Sequence, residues 1–203
     1  MRPSMRAVGV LSLTCTILAT AARGQVHDPQ FGLGAGVYVP TGEFRADDEG
    51  YGFDVGWMLA AHIDIREAGP LWIRLSASLG ENGANDKMTD FVSTAAGRRV
   101  DIKTRLLSLM LDATYHLRSS KDGLTAYVLA GSGFSNVTFD LAVSGGTADT
   151  SEIKFAWNLG AGVSRRVGGS VYFLEARHVW IADVFGATNL SYLPVTLGAR
   201  LRL

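Results

Sequence analysis

The chain has 203 residues, with 19 basic and 19 acidic side chains and 24 glycines. It lacks the basic stripe that a nucleic-acid-binding protein needs, so that class is excluded. No stretch reaches the roughly 18 apolar residues of a membrane-spanning helix, so any crossing of a membrane must use β-strands.

The first element in chain order is a leader that does not belong to the fold. Two arginines precede an uncharged run over 7–22, and Ala22–Gly24 is a small-x-small cleavage sequence, which together predict a secretory signal peptide over residues 1–24. A lipoprotein signal through Cys15 is the alternative, although its lipobox is poor. Removing the leader leaves a domain over 25–203 with 16 basic and 19 acidic residues and no cysteine, so disulfides do not stabilise it.

Eight β-strands follow, each recognised by the alternation of apolar and polar residues. They are predicted at about 30–40, 51–66, 71–81, 102–117, 124–140, 152–166, 170–182 and 192–203. Tight turns at 67–70, 118–123 and 167–169 alternate with longer polar linkers at 41–50, 82–101, 141–151 and 183–191. Short turns at one end (the turn end) and longer loops at the other (the loop end) are typical of an up-and-down antiparallel meander.

The predicted strand over 152–166 shows how different its two faces are. One face carries Ile153, Phe155, Trp157, Leu159, Ala161 and Val163, and the other Lys154, Ala156, Asn158, Gly160, Gly162 and Ser164. A soluble ligand-binding barrel would place the large apolar residues inside, whereas small residues and paired charges can fill the narrow bore of an eight-stranded barrel. The apolar face therefore meets lipid. The predicted fold is all-β, an eight-stranded, antiparallel, up-and-down transmembrane β-barrel.

Aromatic residues near the strand ends predict two girdles at the membrane interfaces. The outward aromatics are Phe31, Tyr115 and Tyr172 near the turn end, and Phe53, Phe155 and Trp180 near the loop end. The alternative is that strands are simply rich in aromatic residues.

Four segments carry a family resemblance: Tyr127–Gly133, Asn158–Val163, Leu174–His178 and Leu193–Leu203. In order and spacing they resemble the outer-membrane β-barrel domain family, the small porin-like barrels of the OmpA, OmpX and OmpW kind. The resemblance implies residence in a Gram-negative outer membrane and insertion by the barrel assembly machinery, which reads the last strand. That strand usually ends in an aromatic residue, whereas this one ends in Leu203. We expect no peptidoglycan-binding domain after the barrel.

Charged and polar residues on the inward face predict an interior polar network. Its expected members are Asp54, His62, Asp64, Arg74, Asp112, His116, Glu175, Arg177 and Arg200. Arg74 is expected at the depth of Asp64 and Asp112, and Glu175 is expected near Arg200, because buried charges must be paired. The network would form a polar plug. The alternative is a set of independently solvated lumen residues.

No other motif predicts catalysis, a metal or a cofactor. His178 faces outward, but the second residue after it is Trp180, whereas lipid A deacylases have a nearby serine, so no nucleophile–base pair is predicted. Two inward histidines on separate strands, His62 and His116, are weak evidence for a metal site. Asp47–Glu49 could bind a divalent cation, but an acidic run of this kind usually stays solvated.

The predicted protein is thus a small integral outer-membrane β-barrel with no enzymatic activity. Its expected role is structural or surface interaction through the extracellular loops, with outer-membrane lipid and lipopolysaccharide as its surroundings and a monomeric state. The alternative role is a narrow porin-like channel for small solutes or apolar compounds.

Overall fold

The computed structural model describes residues 27–42, 45, 52–117, 123–143, 146–184 and 188–202. The strands are β1 (His27–Thr41), β2 (Gly56–Ala68), β3 (Leu71–Gly83), β4 (Val100–His116), β5 (Leu124–Val143), β6 (Gly146–Val167), β7 (Ser170–Val184) and β8 (Thr188–Arg202), and helix α1 (Asp86–Ala96) lies between β3 and β4. Among the described residues no helix is long and apolar enough to cross a membrane. The predicted signal peptide, Asp47–Glu49 and Leu203 lie outside the described ranges.

The strands close into one antiparallel barrel in the order of the sequence. β1 pairs with β2 on one side and with β8 on the other, so that Val37 lies opposite both Trp57 and Val195. A closed barrel has no sheet edge, and an edge in hydrocarbon would leave backbone hydrogen-bonding groups unsatisfied. The predicted fold class and topology are confirmed.

Burial alternates residue by residue along the strands and separates the two faces. Along β4 the odd-numbered residues from 101 to 115 are exposed, and the even-numbered residues from 100 to 114 are buried. The large apolar side chains on the outside include Leu33, Leu59, Leu111, Leu159, Leu197 and Leu201. These side chains form the band that meets lipid.

The outer surface changes character at one level of β4. Outward residues from Leu107 to Leu117 are apolar or small, whereas Asp101, Lys103 and Arg105 nearer the loop end are charged. Three of the four inward residues of β4 at that upper level are apolar, namely Val100, Ile102 and Leu106, and the fourth is the buried Thr104. The apolar stretch measures about 33 Å along the strand, or about 25 Å at a tilt of about 40°, which is the usual height of the lipid-facing band. The strands therefore continue beyond the membrane, where the sheet packs like that of a soluble protein.

Two of the predicted long loops are mostly strand. β5 ends at Val143 and β6 begins at Gly146, so the segment 141–151 forms the end of a hairpin, and β7 and β8 extend into the segment 183–191 in the same way. Beyond the membrane, the outward side chains of a strand and the residues of a turn both meet water. The polarity of these segments therefore could not distinguish strands from loops. β2 begins at Gly56, later than the predicted residue 51.

Helix α1 lies within the segment 82–101, which was predicted as a loop. The Met88 N–H donates to the side chain of Asn85 at 3.0 Å and caps the first turn, and Gly97, with φ of 64°, ends the helix. The helix packs on a loop-end cluster made of Phe53, Ala84, Met88, Val92, Val100, Ile102, Phe139 and Val143. The prediction that Phe53 faces outward is wrong, because this residue precedes β2 and is buried in the cluster.

Candidate functional site

The centre of the bore is occupied by a buried ion pair between neighbouring strands. Asp64 of β2 lies directly opposite Arg74 of β3. Arg74 Nε donates to Asp64 Oδ1 at 2.5 Å and Nη2 donates to Oδ2 at 3.0 Å. Both side chains are 0% exposed. A bidentate guanidinium–carboxylate pair combines strong charge-assisted hydrogen bonds with a fixed geometry.

A chain of ion pairs continues from Arg74 across the bore. Arg74 Nη1 donates to Glu175 Oε2 at 2.6 Å, and Arg177 Nε donates to Glu175 Oε1 at 2.6 Å. Arg177 Nη1 then reaches Asp112 Oδ2 at 2.9 Å. Asp112, like Asp64, lies opposite Arg74 in the strand register, yet its carboxylate is bound by Arg177. The chain links β2, β3, β4 and β7 through the middle of the barrel.

Neutral donors add further hydrogen bonds to the carboxylates of this chain. Tyr127 Oη donates to Glu175 Oε2 at 2.9 Å. Asn158 Nδ2 donates to Asp112 Oδ1 at 2.7 Å, and Ser76 Oγ donates to Asp112 Oδ2 at 3.1 Å. Buried carboxylates need such partners because the hydration that they lose is not otherwise replaced.

Arg200 does not pair with Glu175, contrary to the sequence-based expectation. In the register of β7 and β8, Glu175 lies opposite Thr196, whereas Arg200 lies opposite Val171, four residues nearer the turn end. Arg200 Nε is 3.5 Å from Asp64 Oδ2. Its guanidinium carbon lies 5.0 Å from the ring centroids of both Tyr127 and Phe173. Among the described residues of the bore, the arginines Arg74, Arg177 and Arg200 are equal in number to the buried carboxylates of Asp64, Asp112 and Glu175.

The two inward histidines border this network. His62 Nε2 lies 3.7 Å from Asp64 Oδ2, and its ring packs on Phe173 at 5.2 Å. His116 lies nearer the turn end, with its ring 5.1 Å from Trp72 and 5.4 Å from Tyr127. Among the described residues, no group of three or more His, Cys, Asp or Glu side chains is arranged to hold a metal ion.

Asp54 does not lie in the barrel interior, so its predicted membership of the network is wrong. It precedes β2 and is exposed, and its backbone N–H donates to the Gly83 carbonyl at 2.9 Å. The prediction extended the alternation of β2 by five residues beyond its start. Counting inward positions from an incorrect strand boundary placed a loop-end residue in the bore.

A second layer inside the bore is apolar and was missed by the sequence analysis. It is formed by Tyr38, Met58, Leu106, Met110, Val137, Ala156, Val179, Ile181, Val184, Leu190 and Tyr192. Tyr38 and Tyr192 meet edge to face at 5.0 Å. The signal was present in β4, where Leu106 and Met110 have the same parity as the inward Ser108. Between the apolar layer and the ionic network the interior holds a cavity of only about 30 Å³, room for one or two water molecules.

Inward glycines make the space that the large interior side chains occupy. A Cβ added at Gly162 would fall on the Tyr127 ring, and one added at Gly32 would fall on the His62 imidazole. Small inward residues opposite large ones let an eight-stranded barrel fill its bore without voids.

On the outside, near the loop end, His178 contacts groups that the sequence did not bring near it. Its Nε2 lies 3.3 Å from Thr41 Oγ1, and Thr41 Oγ1 donates to Ser191 Oγ at 3.0 Å. The His178 ring stacks on Trp180 at 4.0 Å, and Trp180 stacks on Trp157 at 3.8 Å. The hydroxyls come from other strands, Thr41 from β1 at the far end of the chain and Ser191 from β8, so a motif search along β7 could not find them.

The other predicted girdle residues lie on the outer surface. Tyr115 and Tyr172 near the turn end and Phe155 near the loop end are exposed, and Phe31 and Trp180 are partly buried. Phe134 joins Phe155 in an edge-to-face contact at 6.2 Å. With the exception of Phe53, the aromatics predicted to be outward occupy positions that suit the membrane interfaces.

Comparison with known proteins gives a family match over nearly the whole chain. The model of the outer membrane protein beta-barrel domain family matches residues 8–202. No sequence among curated proteins matches the chain.

Several solved structures share the fold. The Neisserial surface protein A is 15% identical with a TM-score of 0.65, and the alignment covers 86% of this chain and 97% of that one. A major outer membrane protein from Thermus thermophilus is 13% identical with a TM-score of 0.61, covering 87% and 100%. Ail, the attachment invasion locus protein of Yersinia pestis, is 11% identical with a TM-score of 0.53, covering 88% and 100%. At these identities the likeness concerns the fold alone.

Proposed function

Since this chain belongs to the outer membrane protein beta-barrel domain family and resides in the outer membrane, we propose that it is a closed, non-enzymatic barrel that holds an interaction surface outside the cell. The observation that carries the proposal is the filled bore. The ionic network occupies the middle of the bore, and the apolar layer fills it on the loop-end side. A water-filled channel needs a continuous polar lumen, which the apolar layer interrupts.

The structure of the loop end supports the proposed interaction surface, because its helix and strand ends form a rigid scaffold. Helix α1 is capped at both ends and packs on the loop-end cluster. On the outer surface Arg105 bridges Glu81 at 3.5 Å and Asp140 at 3.3 Å, and Lys103 lies 3.4 Å from Glu81. Binding residues are commonly carried on such surface segments above a rigid scaffold.

The structural neighbours are consistent with a role at the surface. One is by its name a surface protein and another an attachment invasion locus protein. Their names support a surface-interaction role for this chain, and they identify no partner for it.

We further propose how the protein reaches and occupies its membrane. Residues 1–24 direct export, and the barrel assembly machinery inserts the barrel by way of β8. The apolar band contacts outer-membrane lipid and lipopolysaccharide. The protein acts as a monomer, and its closed barrel exposes no strand edge within the apolar band for pairing with a second copy.

Two measurements test the proposal. The purified barrel in planar lipid bilayers is expected to show no stable large conductance, and a stable open channel would favour the porin-like alternative and overturn this proposal.

Intact cells that display the protein are expected to bind components of a panel of purified matrix and serum proteins. Replacing Asp86–Ala96 by a Gly-Ser linker of equal length should abolish that binding, whereas Gly169→Ala at the opposite end should not. Unaltered binding by the linker variant would exclude a role for α1.

A further inference from the structure

The barrel opens at the turn end into a vestibule of about 620 Å³. The polar and aromatic residues that line it include Gln30, Trp72, His116, Ser164, Arg166 and Arg200. Two of its described lining residues, Arg166 and Arg200, are positively charged, and none is acidic. In an outer-membrane barrel this end faces the periplasm, so the vestibule is a basic cavity open to periplasmic solutes.

Arg200 borders the vestibule with donors that the described residues leave unused. Its side chain is 3% exposed, and neither Nε nor Nη2 has a hydrogen-bond partner within the described ranges. The nearest carboxylate oxygen, Asp64 Oδ2, is 3.5 Å away and already accepts from Arg74. A buried donor without an acceptor costs free energy, which an incoming acceptor would recover.

The guanidinium of Arg200 is also fixed in place before any ligand arrives. The rings of Tyr127 and Phe173 lie on it at 5.0 Å each. The other interior carboxylates, Glu175 and Asp112, are bound by Arg74 and Arg177 and do not line the vestibule. A preorganised guanidinium loses little entropy when it binds a carboxylate or phosphate.

Apolar groups also line the vestibule. The Trp72 ring packs on His116 at 5.1 Å, and Pro70, Leu117 and Val171 are further lining residues. A cavity with a few placed polar groups and an apolar wall is the usual form of a small-molecule site.

We propose that this vestibule binds a small organic anion from the periplasm. The carboxylate or phosphate of the ligand accepts hydrogen bonds from Arg200 and is attracted by Arg166, while its apolar body packs against Trp72. This site lies at the opposite end of the barrel from the proposed interaction surface, so the two proposals stand or fall separately.

Isothermal titration of the full barrel in neutral detergent micelles tests the site, with benzoate as the probe. Benzamide has the same ring and no charge, and is expected not to bind. Arg200→Gln should weaken benzoate binding about tenfold or more, because it removes charge-assisted hydrogen bonds. Arg166→Gln should weaken binding by a few-fold through the loss of a nearby charge. Arg165→Gln is the matched control, since Arg165 is the exposed neighbour on the outward face, and it should leave binding unchanged.

The mobility shift between heated and unheated samples shows whether Arg200→Gln folds. The site can still be tested if this variant does not fold. In that case Arg166→Gln, at an exposed position on the rim, decides with Arg165→Gln as its control. The proposal is overturned if wild-type protein binds no benzoate, if it binds benzamide equally well, or if the Arg165 and Arg166 variants weaken binding to the same extent.

Discussion

Arg74 and Asp64 face each other across β2 and β3, and two hydrogen bonds of 2.5 and 3.0 Å join the guanidinium to both oxygens of the carboxylate. The third bond of Arg74 goes across the bore to Glu175 at 2.6 Å. One side chain thereby ties two neighbouring strands to β7. Such a group stabilises the barrel only while all its partners are present, because each carboxylate left alone would be an uncompensated buried charge.

Replacing Arg74 by Met is expected to destabilise the barrel by about 3–5 kcal/mol, because Asp64 and Glu175 each lose a buried partner. Urea unfolding of the protein in lipid vesicles gives the free energy of unfolding. Arg165→Met is the matched control, since Arg165 is exposed on the outer face, and it should change that free energy by about 0.5 kcal/mol or less. If the two variants changed the free energy of unfolding equally, the buried ion pair of Arg74 and Asp64 would make no specific contribution to stability.

Gly162→Ala is expected to cost about 1–3 kcal/mol, because the added methyl group meets the Tyr127 ring inside the bore. Gly169→Ala, where an added Cβ meets nothing within 4 Å, should be nearly neutral. The same unfolding measurement compares them. A neutral Gly162→Ala would mean that Tyr127 can move away without losing its bond to Glu175.

Leu111→Arg places a charge in the middle of the apolar band of β4, where Leu111 is 59% exposed. The expected loss of stability is about 2–4 kcal/mol, the usual effect of an arginine on the lipid face near the bilayer midplane. Asp101→Arg, outward on the same strand but beyond the band, should change stability by about 0.5 kcal/mol or less. If Leu111→Arg were as mild as Asp101→Arg, the band would not face hydrocarbon.

Combining Tyr38→Ala and Tyr192→Ala removes the edge-to-face pair from the apolar layer of the bore. Bilayer recordings of the double variant are expected to show small, flickering currents, since water can enter the space that the rings vacate, while the wild type stays silent. Phe134→Ala combined with Phe155→Ala, which removes an aromatic pair from the outer surface, is the control and should stay silent. If neither double variant carried current, the barrier to ions would lie in the ionic network and not in the apolar layer.

His178 contacts Thr41, which donates to Ser191, and this group of side chains can be tested for lipid chemistry. The proposed non-enzymatic role predicts that His178 carries out no acyl transfer. Outer-membrane lipids from cells expressing wild type, His178→Ala or Ser191→Ala should have identical mass spectra. A lipid product that disappears in both variants would establish an enzyme.

Alternation along single strands accounts for most of what could be predicted. Side chains of a strand leave on opposite sides, so the outward leucines and the inward Asp64, Arg74 and Asp112 follow from parity alone. Across a tight turn the register is also local, which is why the depth of Arg74 relative to Asp64 could be counted along the chain. Parity failed where a strand boundary was misplaced, as at Phe53 and Asp54.

Contacts across the bore could not be predicted in this way. Arg74 and Glu175 belong to strands that are not neighbours, and their meeting depends on the diameter and stagger of the closed barrel. The expected pairing of Glu175 with Arg200 failed because it assumed neighbouring positions that the register of β7 and β8 does not give.

The wall of the barrel, with its lipid-facing side, its inward side and its antiparallel order, could be predicted because a period of two residues is a property of the local chain. What fills the bore, and the position of Arg200 beside a basic vestibule, became visible only in the folded barrel. Those features arise from distances between residues far apart in the chain, and only closure of the barrel sets such distances.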